Sequence, residues 1–172
     1  MKEYAIDKLV RELSTGNLDV FDQIYYETKD LVYYVIFNIL RNDLKAEELM
    51  QEVYLNMLRK VSKYKKKNFS AWIATMARNM AINTYNKEKR ISYMDSQEME
   101  FVFKSDSNSD EEYLLNDMRR ILNETEFEVV LMHVIGNITH QKISDGLGKP
   151  IGTVLWIYNK AMKKLRAGLE VK

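Results

Sequence analysis

Cysteine is absent from the 172 residues, which excludes disulfides, thiolate metal sites and cysteine nucleophiles. Proline occurs once and glycine six times. That is too few turn formers for a sandwich or barrel of many short strands, and it favours long helices. The only histidines, His133 and His140, stand seven residues apart and match no zinc-ligand spacing; His133, inside VVLMHVI, reads as a core histidine. The longest unbroken apolar run, Leu31 to Phe37, is far too short to cross a bilayer. MKEYAIDKLV at the start lacks an apolar signal-peptide core. No phosphate-cradling loop and no nucleophile elbow occur, and the glycines at 146, 148 and 152 miss the dinucleotide spacing. These absences argue against an enzyme. No catalytic residue, metal ligand set, cofactor or small-molecule substrate is expected, and the chain reads as a soluble cytoplasmic protein.

What is present is a good core composition and a sorted charge. Apolar residues make up 46% and charged residues 30%, compatible with one or two packed domains. The formal net charge of +1 conceals blocks. Residues 1–58 carry −5, residues 59–90 carry +9 with Glu88 as their single acid, residues 91–112 carry −6, and residues 113–172 carry +3. Blocks of this kind suggest surfaces with different partners, one of them polyanionic.

Hydrophobic periodicity predicts an all-α protein of two small domains. In residues 1–90, four helical patterns follow one another. Ile6, Leu9, Val10 and Leu13 mark the first, with Gly16 as its stop. Residues 20–40 are apolar almost all round and suit a buried central helix. Asp43 is the expected N-cap of the third helix, whose buried stripe is Leu49, Val53, Met57 and Val61. The fourth begins near Ser70 and buries Trp72, Ile73, Met76, Ala77, Met80, Ala81 and Tyr85. Residues 91–109 lose the periodicity and read as an acidic linker, although its MEFVF clump has the makings of a docking segment. Residues 110–172 form a second helical domain. Its first stripe is Leu114, Leu115, Met118, Ile121 and Leu122. Thr125 with Glu128 predicts a capping box for the next helix. A short helix at 140–147 stops at Gly148, and Pro150 opens a final helix to about Gly168. Helix, glycine turn, helix is the helix-turn-helix pattern, for which a plain helical bundle is the alternative.

Two segments carry nucleic-acid texture. In the final helix Val154, Tyr158, Ala161 and Leu165 face inward, so Thr153, Trp156, Asn159, Lys160 and Lys163 share the outer face. That face offers a hydroxyl, an amide, two ammonium groups and an aromatic plate to groove edges and phosphates. In the basic block, Lys65, Lys66, Lys67 and Asn68 precede an aromatic-bearing helix start with Trp72. Thr75, Arg78, Asn79, Asn86 and Lys89 follow along its polar side. Cations that track phosphates, amides that read base edges and rings that stack on unpaired bases suit single-stranded or melting DNA.

Three segments, AEELMQEVYL at 46–55, FSAWIATMARNMAIN at 69–83 and GKPIGTVLWIYNKAMKKLR at 148–166, together resemble bacterial RNA polymerase sigma factors of the small extracytoplasmic-function type. They stand in the family's order, and the resemblance runs from about residue 16 to the C-terminus. It implies a polymerase-binding and minus-ten domain at 1–90, a linker at 91–109 and a helix-turn-helix domain for the minus-thirty-five element at 110–172. It assigns binding of core RNA polymerase to Glu47, Glu48, Leu49, Gln51 and Glu52, and promoter DNA to the two segments above. An anti-sigma factor is a further partner class it admits. The sequence departs from the family at Asn83 and Asn86, where Asp and Arg are common. Lys142, Ile143 and Ser144 stand in place of Glu-Ile-Ala, and Leu155 and Ile157 replace basic or polar residues. A stand-alone helix-turn-helix regulator and a degenerate sigma-like interaction protein remain as alternatives. The AEEL segment speaks against the former and the basic block against the latter.

Overall fold

The computed structural model describes residues 2–65, 68–92 and 110–169, with side chains placed at 5–65, 68–90, 115 and 117–168. The chain divides into two compact units, Met1–Phe101 and Val102–Lys172. Among the described residues all regular structure is helical: α1 (Lys2–Ser14), α2 (Phe21–Leu40), α3 (Asp43–Lys60) and α4 (Phe69–Ser92) in the first unit, then α5 (Asp110–Ile121), α6 (Glu124–Val134), α7 (His140–Leu147) and α8 (Ile151–Leu169) in the second. Single 3-10 turns at Leu18–Val20 and Val61–Lys63 lead into α2 and out of α3. The MEFVF segment and most of the linker expected at 91–109 lie outside the described residues; α4 itself runs to Ser92.

In the first unit α2 is the axis, packed on α1, α3 and α4. Its buried row of Ile24, Leu31, Val32, Val35 and Ile36 shares the core with Val10 from α1, Leu49, Val53 and Met57 from α3, and Phe69 and Ile73 from α4. Ala74, Ala77 and Ala81 are fully buried, and such small side chains let helices approach closely. Trp72, Met76 and Met80, expected in this core, are half-buried, and Tyr85 is exposed on α4's last turns. Nor is α2 apolar all round. Tyr25 and Tyr33 are half-buried and Tyr26 is exposed, so one side of the helix forms part of a surface.

Helix starts follow local capping chemistry, one or two residues away from the expected positions. Asn42, not Asp43, caps α3: its backbone is extended and its Oδ1 accepts the Lys45 N–H at 3.0 Å. Asp43, in the first helical turn, accepts the Tyr33 hydroxyl at 2.6 Å instead. The capping box of α6 is Asn123 with Glu126, not Thr125 with Glu128. An amide oxygen in an extended residue can reach the N3 amide, whereas Thr125 already lies in the helix.

The second unit packs Leu122, Phe127, Leu131, Ile143, Val154, Ile157, Ala161 and Leu165 into its core. Gly148 closes α7 in the left-handed region (φ 63°), where a side chain would strain the backbone. Pro150 precedes α8 rather than opening it, and its carbonyl accepts from Thr153 and Val154 at 2.9 and 3.1 Å. The departure at Ser144 has a structural reason: its buried hydroxyl donates to the Lys149 carbonyl at 2.6 Å and pins the turn between α7 and α8. Gly168 lies within α8, and a Cβ there would sit 2.6 Å from Cδ1 of Ile121, so the last turn of α8 comes close to α5 only because that position is bare. No helix among the described residues is long and apolar enough to cross a membrane.

Candidate protein and nucleic-acid interfaces

An open groove of about 790 Å³ runs between α2 and α3. Its floor is aromatic. Tyr25 packs against Tyr54 with ring centroids 5.0 Å apart, and Phe21 meets Tyr54 edge-on at 6.1 Å. Burial is the chief reason the Tyr54 hydroxyl titrates above its usual range, while its 2.8 Å bond to Thr28 Oγ1 acts the other way. Thr28 in turn donates to the Ile24 carbonyl, so the polar atoms under the floor are satisfied within the fold. The rim carries Glu47, Gln51, Asp22 and Asp30, with Lys29 beside them. Leu55, 53% exposed, lies on the same wall, and Leu44 is 74% exposed at the start of α3.

Four of the five residues assigned to polymerase binding are therefore on the surface. Glu47, Glu48, Gln51 and Glu52 are exposed. Leu49 is a correction: only 6% exposed, it belongs to the core of the first unit, because in a helix the positions flanking an exposed stripe turn inward. Sequence reasoning missed Tyr25, Tyr26, Tyr54 and Leu55. The available signal was the tyrosine pairs at 25–26 and 33–34, which give a buried helix polar tips needing an outlet.

The basic block divides between surface and scaffold. Lys65 is exposed, and Lys66 and Lys67 lie outside the described residues. Asn68 is a second correction. It is 4% exposed, and its Oδ1 caps α4 by accepting the Ala71 N–H at 2.7 Å, so it is committed to the helix start. Trp72 is half-buried in a ring cluster, 5.0 Å from Tyr64 and 5.5 Å from the fully buried Phe69. Farther along α4, Asn79, Asn86 and Lys89 are exposed and Arg78 half-buried. Glu88, the block's single acid, is bound to Lys45 of α3 at 2.8 Å, so its charge is directed at a neighbour rather than at the open face of α4.

In the second unit the whole predicted outer face of α8 is exposed: Thr153, Trp156, Asn159, Lys160 and Lys163. Trp156, at 61% exposure, is not a core residue. Lys160 Nζ lies 4.7 Å from the centre of its ring, a cation–π arrangement, and 3.7 Å from Oε1 of Glu126. Glu126, almost fully buried, also receives Lys164 Nζ at 2.6 Å. Burial alone would raise its carboxyl pKa; the Lys164 hydrogen bond, the Asn123 N–H and the charges of Lys164 and Lys160 outweigh that and hold it below the usual carboxylate range. Leu155 is partly exposed beside this face, whereas Ile157 points into the core.

The two histidines, one at the end of α6 and one at the start of α7, stack with ring centroids 4.1 Å apart against Tyr158. His133 is half-buried rather than a full core residue, and its Nδ1 lies 2.9 Å from the Ile138 carbonyl. Burial first, and then the neighbouring His133, lowers the pKa of His140. Among the described residues no group of three or more His, Cys, Asp or Glu is placed to hold a metal ion.

Comparison with known proteins bears on all of these surfaces. Residues 24–91 match the family model for Sigma-70 region 2, a span that runs from α2 to the end of α4. The chain is 26% identical to the ECF RNA polymerase sigma factor SigK of Mycobacterium ulcerans, with 96% of this chain and 94% of that protein covered. It is 27% identical to the ECF RNA polymerase sigma factor BldN of Streptomyces coelicolor, covering 92% of this chain and 63% of the relative. The fold is similar to that of the sigma factor RpoE crystallised with the anti-sigma factor NepR from Bartonella quintana, at a TM-score of 0.71 and 17% identity over 90% of this chain and 99% of that one. It is also similar to CnrH in complex with the cytosolic domain of CnrY, at 0.61 and 15% identity over 95% and 96%. With the region 2 segment, the relatives and the helical fold in agreement, the chain is similar along most of its length to extracytoplasmic-function RNA polymerase sigma factors, and residues 24–91 carry the Sigma-70 region 2 match.

Proposed function

We propose that this protein binds core RNA polymerase and directs it to a subset of promoters, acting in the cytoplasm as a specificity subunit rather than as a catalyst. The aromatic groove between α2 and α3, with Glu47, Glu48, Gln51 and Glu52 along α3, is the polymerase-docking surface. Lys65, Lys66 and Lys67, the half-buried Arg78 and the exposed Asn79, Asn86 and Lys89 of α4, with Trp72 at its start, open and hold the minus-ten element. Thr153, Trp156, Asn159, Lys160 and Lys163 face the minus-thirty-five element. Residues 1–90 and 110–172 are the two working domains, with the acidic 91–109 segment between them. An anti-sigma factor is the expected regulator, as the similar protein RpoE was crystallised with the anti-sigma factor NepR.

The observation that carries this reading is the opposition within one small unit of an apolar groove with an acidic rim and a helix with a cationic, amide-bearing face. A stand-alone DNA-binding regulator needs no such groove. The test is association with core polymerase. Gln51→Ala combined with Leu55→Ala removes two exposed groove residues and is expected to weaken binding by about 1–4 kcal/mol while leaving helical content and melting unchanged. Leu49→Ala is the contrasting variant: it is expected to lose about 2–5 kcal/mol of stability instead. Undiminished co-purification of the Gln51/Leu55 double variant with polymerase would overturn the docking assignment.

A further inference from the structure

Beside the outer face of α8, apolar side chains stand exposed that the proposed contacts leave unused. Ile151 and Leu155, one turn apart, are 41% and 40% exposed, and Trp156 next to them is 61% exposed. The core seam of α8 is complete without them, because Val154, Ile157, Ala161 and Leu165 are buried at helical spacing. A single exposed apolar residue is ordinary. Gathered on the first two turns of one helix, these form a patch of the kind that marks an interaction site. Gly152 lies on the same turns and is exposed. A Cβ built there would meet nothing within 4 Å, and its φ is not in the left-handed region, so the fold itself does not require glycine. Glycine weakens a helix relative to alanine, and here it leaves bare backbone over which a partner can come close.

The surrounding charge selects the occupant. α8 carries no acid, and Lys160, Lys163 and Arg166 are exposed farther along it. An apolar tip with cations behind it fits duplex DNA entered tip-first, with phosphates at the cations and base edges at the tip. The apolar group that a major groove presents is the thymine 5-methyl. Ile151 and Leu155 have no side-chain donor or acceptor. Over a G·C pair they would cover the guanine acceptors and the cytosine amine without pairing them, which costs desolvation. We propose that Leu155, with Ile151 one turn before it, reads thymine 5-methyl groups in the upstream promoter element, and that Gly152 allows the close approach this contact needs. The proposal rests on the assignment of α8 to the minus-thirty-five element. It adds a selection for A·T pairs made by the methyl group rather than by hydrogen bonds.

The experiment uses holoenzyme of the full chain with core polymerase. Promoters are first selected from a pool randomised across the upstream element. Each thymine of the selected element is then replaced by deoxyuridine, which removes the 5-methyl and keeps the pairing and groove hydrogen-bonding groups. Occupancy is measured by competition. Wild type is expected to lose about fourfold at the thymine under Leu155, the transfer scale of one buried methyl. Leu155→Ala is expected to show no such loss, whereas Leu155→Met, still apolar, keeps it. The ratio of thymine to deoxyuridine occupancy is taken within one protein, so a change in folded fraction cancels. Gly152→Ala is expected to melt no lower than wild type and to weaken occupancy; undiminished occupancy overturns the close approach. A selected element without A·T pairs overturns the methyl reading. So does wild-type indifference to deoxyuridine, or a loss that Leu155→Ala retains in full. A Leu155→Ala defect that follows polymerase association instead assigns the patch to a protein and overturns it as well. If selection enriches no upstream element at all, the assignment of α8 to promoter DNA fails. If an element is enriched and deoxyuridine is silent in it, only the role of Leu155 and Ile151 fails.

Discussion

The two helices assigned to DNA are held in opposite ways. α4 is anchored at its first turn, where Asp7 and Asn68 occupy the Phe69 and Ala71 amides, and its later residues Asn79, Asn86 and Lys89 stay exposed. α8 has no acid in its first turn and is held on its flank, where the buried carboxylate of Glu126 binds Lys160 and Lys164. Its N-terminal half, with Thr153, Trp156 and Asn159, stays exposed. Where a helix is fastened decides which part remains available to a partner. A fastened flank suits a helix presented end-first into a groove, the usual docking of a recognition helix.

The contrast breaks most visibly at Glu126. Its carboxylate serves the N-cap of α6 through the Asn123 N–H at 3.1 Å and holds α8 through Lys164 at 2.6 Å. Glu126→Ala removes both. Hydrogen bonds to charged groups contribute about 1.5–3 kcal/mol each, and the partial exposure of the two lysines argues for the lower end, so a loss of about 2 kcal/mol in the second unit is expected. Chemical denaturation followed by Trp156 fluorescence checks it. If Glu126→Ala melts like wild type, α8 is not held from its flank and the comparison with α4 fails.

How much of this was written in the sequence depends on whether the controlling interaction is local. Helical periodicity exposes α1, α3, α4 and α8, because core positions such as Val53, Ala77 and Val154 recur at three and four residues. The outer face of α8 follows by subtraction, and the structure places all five expected residues on it. Caps are harder. Asp43 and Thr125 are good cap residues by type, but Asn42 and Asn123 hold the extended backbone, and the choice between adjacent candidates is a matter of backbone angles. Longer-range ties were not legible at all. Nothing in the sequence says that Asp7 reaches Phe69, sixty-two positions on, or that Glu126 meets Lys164. Leu49 and Asn68 were misassigned for the same reason. Each lies in a segment rich in functional residues, and only packing reveals that its own side chain turns inward.

A smaller effect sharpens the difference between the units through pH. In the second unit both resolved shifts point one way. His140 titrates below its usual range, so the unfolded chain binds the proton first as pH falls below about 6.5. Glu126 is likewise depressed, and its contribution is complete above about 4.3 and lost as pH falls through its folded value. Stability of this unit is therefore expected to decline in two stages on acidification, beginning near pH 6.5. In the first unit the shifted group is the Tyr54 hydroxyl, moved away from the acid range. Thermal melting from about pH 8 down to about pH 2 checks this. His140→Gln should flatten the upper stage, and Glu126→Gln the lower one. An acid loss unaffected by either variant would show that other groups control it.

The smallest expected change in stability is at Trp156, and it separates reading from holding most cleanly. The ring is 61% exposed and shares its face with Thr153 and Asn159, while Lys160 stands over it at 4.7 Å. Removing it takes away an exposed cation–π contact, about 0.5–1 kcal/mol, and little core packing, so the melting temperature of Trp156→Ala should move by only a few degrees. Promoter choice should change far more. On the proposed reading Lys160 and Lys163 neutralise phosphates whatever the sequence, whereas the indole and the Asn159 amide meet base edges. Contacts of that kind discriminate by about 1–3 kcal/mol against a wrong base pair, roughly five- to 150-fold in occupancy. Competition between promoters altered only at the upstream element, measured with Trp156→Ala and Lys163→Ala holoenzymes, distinguishes the two roles. Trp156→Ala should level the preference at unchanged salt dependence, and Lys163→Ala should weaken all promoters alike and reduce the salt slope. If Trp156→Ala keeps its preference, the exposed indole serves another partner, and α8 reads the upstream element without it.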